Sequence, residues 1–487
     1  MALFVFSAIL ILSLVIAVMS KKGAIGSSMD DVMTASGSFG AFLIFFVSVG
    51  EIYSIGTMIG APGAIFANGA TYGTWFICYI LLAYVIGYFL NPAIWRMGQL
   101  AKAVSIGDVI GWRYNSKGMQ VLVALVGIGF LTPWIQNQYA GMAILFEYLN
   151  IGVSFVAAVV ISSVLAFAYI AIAGIRAPAW VSVLKDILLI AAIVVVGVAA
   201  AVNMPGGVGG IFKTVAETKP EMLIVPTEPI TKSVTFVMST ILFQMLGFYM
   251  LPISFQALLT SKNEHNLRKN SIYMPMYMIM FPFLVIAAYY AVAVIPDLPN
   301  KDFALLAIAV DLLPNWVIGL IAGGGALTAI LVMAISALCV GGLFSKNILG
   351  VIKPNMPQKA MTNWTRIATA VFLIFGMLTA LYFPALMANV ITLAYGGLTQ
   401  TIVAVVFGFF WKRATKWGIG AGIIAGVVSL AMIKNLMLVP WLGMNFGFWA
   451  LLINLVVAVI VSLLTKPDAV AMKRFEAFKA AKPNQAK

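Results

Sequence analysis

The chain has 487 residues, of which 63% are hydrophobic and 9% charged, with a mean hydropathy of +1.06. Soluble domains carry roughly 25% charged residues, so a string of soluble domains is excluded. The net charge of +14 arises from 29 Lys and Arg against 15 Asp and Glu, and these charges sit between apolar runs, which removes the nucleic-acid reading a basic chain otherwise invites.

A helix needs about 20 mostly apolar residues to cross the hydrocarbon core. In chain order, runs of that kind lie at 2–20, 37–67, 73–95, 119–147, 151–173, 179–203, 233–258, 271–296, 315–344, 365–383, 387–411, 417–434 and 444–465, predicting an all-α polytopic membrane protein of thirteen transmembrane helices, numbered here as spans 1 to 13. The first run has no basic residue ahead of it and is followed by Lys21 and Lys22, so it reads as a span and not as a cleaved signal peptide. Basic residues mark the inner side of a membrane. With the N-terminus outside, twenty-three of them fall on inner loops and the tail, from Lys21 and Lys22 through Arg96, Arg113, Arg176, Arg268, Lys346 and Lys412 to Lys487. Lys213, Lys219, Lys232, Lys301 and Lys434 fall on outer loops, and Lys185 lies inside a span. The expected topology is N-out and C-in, in the cytoplasmic (inner) membrane.

Cys78 and Cys339 both fall in apolar runs and read as small buried residues. With His265 the only histidine, zinc sites and Ser-His-Asp or Cys-His catalysis lack raw material, so an enzyme is not expected. The longest segments outside the spans, 204–232 and the tail 466–487, are too short for a receptor output domain. A transporter or channel remains. Span 2 carries Gly50, Gly56 and Gly60-Ala-Pro-Gly63, and five spans later span 7 carries Gly247 and Pro252, the offset expected of two five-helix inverted repeats with broken helices. The divisions are 1–36, a first repeat 37–203 (spans 2–6), the outer loop 204–232, a second repeat 233–411 (spans 7–11), spans 12 and 13 at 412–465, and the tail 466–487.

Four stretches carry a family likeness: Gly60-Ala-Pro-Gly-Ala-Ile-Phe-Ala-Asn-Gly69, Gly107-Asp-Val-Ile-Gly-Trp-Arg-Tyr114, Ala173-Gly-Ile-Arg-Ala-Pro-Ala-Trp180 and Trp411-Lys-Arg-Ala-Thr-Lys-Trp-Gly-Ile-Gly-Ala-Gly422. Together, in this order, they resemble the sodium:solute symporter family, whose bacterial members include pantothenate and proline permeases. The resemblance implies a LeuT-like inverted-repeat fold, alternating access around a midplane site, and sodium-driven uptake of a small polar organic solute. It implies no cofactor; the partners are the solute and the lipid bilayer, nucleic acid is not among them, and a monomer is consistent with the sequence.

The chain departs from the family where the sodium ion is held. That site uses carbonyls at the break of span 2 and adjacent hydroxyls on span 9, and sodium prefers such oxygen ligands. Span 9 has Thr328 and Ser336 but no adjacent pair; the aligned positions are Leu331 and Val332 or, shifted by a turn, Ser336 and Ala337. Nearby, Lys185 lies in span 6 about seven residues beyond Pro178, some 10 Å deep at 1.5 Å per residue, where the family has a neutral residue, and Ser182 stands where it often has Asp. Such a charge costs on the order of 2.5–3.5 kcal/mol at membrane depth, so it faces a cavity or a partner. Either the Lys185 ammonium takes the sodium position near Gly50, Ser182 and Ser336 and couples transport to protons, or it snorkels or pairs statically with Asp186 or Glu51. Glu51 in span 2 is a candidate for a substrate ammonium or a coupling proton, or is a protonated acid bonded to unwound backbone. Tyr53, Ser54 and Thr57 in span 2, Trp134, Gln136 and Asn137 in span 4, Gln244 in span 7, and Tyr395 and Gln400 in span 11 are candidate solute contacts. Polar groups of this kind face the bundle interior. The competing readings are a sodium-independent facilitator and a transporter-like solute sensor.

Overall fold

The computed structural model describes residues 1–21, 28–150, 152, 154–295, 297–382, 387–436 and 441–481. Lys22, Lys482, Lys487 and the side chain of Lys434, all counted in the charge asymmetry, lie outside the described residues. Among the described residues eleven helices are long and apolar enough to cross a membrane: Ala2–Ser20, Ala70–Ala101, Lys117–Leu149, Val156–Ala173, Arg176–Asn203, Glu264–Val294, Asn315–Ile352, Gln358–Tyr382, Met387–Phe410, Lys416–Ile433 and Phe446–Leu464. The other two spans are bent pairs, Ala41–Ile52 with Gly56–Asn68 at 52° and Val234–Met250 with Pro252–Leu259 at 46°. The thirteen runs of the sequence are thus thirteen spans if each bent pair counts as one, and the bent ones are spans 2 and 7.

In span 7 the interruption falls at Leu251, whose ψ of 126° is extended, and Pro252 opens the next helix because its missing N–H is not needed there. In span 2 the interruption is at Tyr53 to Ile55, between Gly50 and Gly56 and several residues before the Gly60-Ala-Pro-Gly63 stretch. Pro62 instead lies in the first turn of the α-helical part of the second half, Ala61–Asn68, the position at which a helix tolerates proline.

Among the eleven unbroken spans the most buried is span 9, 94% of whose most apolar stretch is enclosed by the rest of the chain. Its three consecutive glycines face three different neighbours. A Cβ on Gly323 would lie 2.5 Å from Ile9 Cδ1, one on Gly324 3.1 Å from Leu188 Cβ, and one on Gly325 3.1 Å from Leu145 Cδ2. Small residues let helix backbones approach in lipid, where no hydrophobic force drives them together. These glycines serve close packing and not a bend, and Gly397, set against the Phe130 ring, does the same for span 11.

One face of the bundle gathers the ion pairs Arg96–Glu264 (3.2 Å), Arg176–Asp31 (2.8 Å) and Lys346–Asp108 (3.0 Å). The tail folds onto this face as a helix, Ala469–Ala480, capped at its start by Asp468. Its Phe478 stacks on Phe409 at 5.1 Å, and buried Arg113 donates to Gly408 O (2.7 Å) and Ala471 O (3.2 Å), tying the tail to span 11. Arg113→Ala removes both donors and leaves buried carbonyls unpaired. It is expected to free the tail helix, read as faster protease cleavage around 465–468 in the detergent-purified protein, while span 13 stays protected.

Candidate solute and cation site at the helix break

The site begins with a hydrogen-bond count. In an unbroken helix Gly50 O would accept from Ser54 N, and Tyr53 O from Thr57 N. At the break Ser54 N turns to Ile52 O (3.0 Å) and Thr57 N to Ser54 O (2.9 Å), while the Ser54 hydroxyl accepts from Gly56 N (3.1 Å). Serine competes with the helix ladder in this way, and here it restarts the second half. The carbonyls of Gly50 and Tyr53 are left without backbone donors, at the negative end of the first half-helix.

Lys185 takes both. Its ammonium, fully buried in span 6, donates to Gly50 O at 3.0 Å and Tyr53 O at 2.9 Å, and its third contact is Asp186 Oδ1 at 2.5 Å. An ammonium has three donors, and all three are used. Span 6 comes near enough because residue 50 is glycine: a Cβ there would stand 2.9 Å from Ser182 Cβ. The same Asp186 Oδ1 accepts from the Tyr277 hydroxyl (2.9 Å), Oδ2 has no partner among the described residues, and the Tyr277 ring stacks on Tyr53 at 4.4 Å. The Tyr53 hydroxyl in turn lies 2.5 Å from that of Tyr84. Of the partners open in the sequence, Asp186 is the one Lys185 meets. Glu51, next along the helix and buried, is outside this cluster, with Oε2 unpaired among the described residues.

Across the break is a second cluster whose polar atoms lack partners. Trp134 Nε1 and both amide atoms of Asn137 are buried without hydrogen bonds among the described residues. Asn137 abuts the start of the second half-helix, since a Cβ on Gly56 would lie 2.6 Å from its Nδ2. Tyr395 contacts Trp134 edge-on, with ring centroids 6.0 Å apart. Buried polar atoms are nearly always paired, so unpaired donors and acceptors beside a helix break make this cluster the candidate for contact with a polar solute. Gln244, buried in span 7, likewise leaves both amide atoms unpaired.

Other candidates are placed elsewhere or spent. Gln400 is not a solute contact here: its side chain donates to Gly396 O (2.9 Å) and accepts from Asn454 Nδ2 (3.1 Å), tying span 11 to span 13. Thr328 donates its hydroxyl to Gly324 O of its own helix at 2.6 Å, which leaves the oxygen lone pairs as its only free valence. Ser182 bonds Ala179 O, Gln136 is only half-buried, Thr57 is buried just past the break, and Ser336 is buried with its hydroxyl unpaired among the described residues. Sequence reasoning missed Tyr277 and Tyr84, which stand in ordinary apolar runs with nothing in their spacing to single them out. It also missed Asp302. That carboxylate is buried against Gly63, where a Cβ would lie 2.5 Å from Oδ1, and its Oδ2 accepts from Met387 N (3.4 Å) at the start of span 11. The Gly60-Ala-Pro-Gly63 stretch is therefore a floor for this acid.

Two bent spans with facing unpaired groups, inside a bundle of thirteen, define a secondary transporter that carries a small solute through its own interior. The sequence profile of the sodium:solute symporter family matches residues 32–426, and the chain belongs to that family. It is a cation-coupled symporter of the multi-pass inner-membrane kind and not an enzyme. An uncharacterized symporter of Bacillus subtilis is 30% identical over 96% of this chain and 97% of its own length. A monocarboxylate transport permease protein of Rhizobium johnstonii is 25% identical over 89% of this chain and 90% of its own. The solved structure of a Na+-coupled sialic acid symporter, substrate-bound and outward-open, superposes with a TM-score of 0.77 over 96% of this chain and 98% of that one at 18% identity, which establishes the LeuT-like fold.

Gly50→Ala is expected to lower stability by about 1–3 kcal/mol through overpacking against Ser182, and the added Ser182→Gly to restore most of it, read from melting temperatures of the four proteins in a double-mutant cycle. Burial pushes the Asp302 carboxyl up from 3.8 to about 7, the Met387 N–H opposing in part. A pKa raised in the fold means the folded chain binds the proton more tightly than the unfolded one, so stability falls as pH rises from about 4 to about 7. Asp302→Asn is expected to flatten the melting temperature across that window.

Proposed function

We propose that this protein takes up a small polar organic solute by alternating access, N-terminus outside, with 37–203 and 233–411 as inverted repeats, and that protonation of Lys185 is its coupling event. The observation that carries this reading is the ammonium on Gly50 O and Tyr53 O. A sodium ion at the break of span 2 would need those same carbonyls, and span 9 offers only the separate hydroxyls of Thr328 and Ser336 in place of an adjacent pair. A charged Lys185 pins the first half of span 2 to span 6. A neutral amine has two donors, one acceptor and no charge, so it no longer satisfies both carbonyls and Asp186 together, and the two helices are released to move.

Glu51 and the Trp134, Asn137, Gln244 and Tyr395 group are the solute contacts in this reading, together with the hydroxyls of Ser54 and Thr57. A monocarboxylate is the first solute to test, given the name of the Rhizobium relative. In proteoliposomes, labelled pyruvate is expected to accumulate under an inward proton gradient without sodium. Uptake that requires sodium and ignores the pH gradient would overturn the Lys185 reading. Lys185→Met strands Asp186 with Tyr277 alone and is expected to cost about 3–5 kcal/mol, the usual loss when one partner of a buried pair is removed. Lys185→Met with Asp186→Asn is expected to recover most of the melting temperature and none of the proton-driven accumulation.

A further inference from the structure

Beyond the central site lies a cavity of about 360 Å³ at the opposite face from the tail helix, which is the outer face in the orientation proposed above. Its size suits a small organic molecule. It is lined by the end of span 2 at Asn68, the start of span 3, Lys232 and Phe236 at the entrance to span 7, and the first turns of span 11 around Asn389. Lys232 is the only charged side chain in that lining, it is exposed, and it makes no ion pair among the described residues. Its carbonyl is held by the Thr71 hydroxyl (3.4 Å), which fixes the backbone that presents it. Tyr72 forms the adjoining wall, 97% buried and wedged against Trp75 at 4.5 Å, and its hydroxyl has no partner among the described residues.

The same wall leads inward. Trp75 approaches Tyr79 at 6.0 Å, Tyr79 approaches Tyr395 at 5.6 Å, and Tyr395 approaches Trp134 at 6.0 Å. These aromatic rings run between the cavity and the unpaired groups of the central site.

We propose that this cavity is a first capture site for a small organic carboxylate, with the anion between the Lys232 ammonium and the Tyr72 hydroxyl and the carbon chain against Trp75 and Phe236. The inference rests on the solute-transport reading and adds to it a place outside the central site where an anionic solute is first held. A lining with one cation and no acid attracts anions and repels ammonium compounds. The buried Tyr72 hydroxyl supplies a donor that a carboxylate accepts, and an aromatic and aliphatic remainder has no polar demand to leave unmet.

The test uses the full chain in maltoside detergent free of phospholipid, with Asn389→Cys in a Cys78→Ser background, Cys339 being buried. A sulfonate-bearing thiol reagent is expected to label Cys at position 389 about tenfold faster than a trimethylammonium one, relative to their rates on a free thiol. Lys232→Gln is expected to abolish that bias and Lys232→Arg to keep it. Millimolar propionate is expected to slow labelling, and propionamide to leave it unchanged. A bias that survives Lys232→Gln, or equal protection by the acid and the amide, would overturn the proposal. So would slowing by added phosphatidylglycerol but not by propionate, which would assign the cavity to a lipid headgroup. None of these readouts uses an ion gradient or Lys185, so their failure leaves the coupling reading standing, and a sodium requirement in proteoliposomes leaves this one standing.

Discussion

A helix interrupted inside a membrane must satisfy the backbone groups it frees without help from bulk water, because each unsatisfied group in hydrocarbon costs several kcal/mol. At Tyr53 to Ile55 that demand falls on two carbonyls, Gly50 and Tyr53, and one ammonium meets both. The ammonium is itself expensive to bury, and the cost is offset because every one of its donors is used and a carboxylate stands next to it in the chain. The lysine and the break therefore need each other: removing either leaves the other with an uncompensated charge or dipole.

The surroundings follow from that pairing. Residue 50 has no side chain because span 6 must come within reach, and Ser182 fills the space a Cβ would claim. Asp186 is steadied by Tyr277, whose ring lies on Tyr53, so the same tyrosine that lends its carbonyl to the ammonium is fixed by the partner of the ammonium's counter-ion. In our reading this closed circuit of spans 2, 6 and 8 is what a proton on Lys185 holds shut and its loss loosens. The facing group of Trp134, Asn137 and Tyr395 lies on the far side of the break, where the second half-helix presents its positive end at Gly56. Cation and solute positions thus share three residues of unwound chain, and a change at one carries to the other through that backbone.

Much of this architecture was legible in the sequence. The thirteen apolar runs correspond to the spans because hydrocarbon thickness fixes their length, and Pro252 marked the break in span 7 because proline cannot continue a hydrogen-bond ladder. Lys185 stood out because a charge inside an apolar run is costly enough to need a reason. The break in span 2 falls between Gly50 and Gly56, two of the glycines singled out in the sequence, but Ser54, which diverts the ladder with its hydroxyl, gave no signal of that role, and Gly60 to Gly63 serve contacts with Met387 and Asp302. Gln400 and Thr328 are engaged by their own turns, and Gln400 by span 13 as well, because a polar side chain in a membrane helix also bonds its own turn or a neighbouring helix, and periodicity does not tell such a bond from a ligand contact. Tyr277, Asp302 and the aromatic path from Trp75 to Trp134 depend on tertiary neighbours from distant spans, which no local pattern encodes.

The central claim is that the protein's own ammonium occupies the cation position at the break of span 2. Equilibrium binding of radiolabelled sodium to the purified wild-type protein, with and without solute, tests it most directly. The account predicts no saturable sodium binding in either case, because the ammonium already stands where the ion would bind. Saturable sodium binding that increases with solute would contradict it.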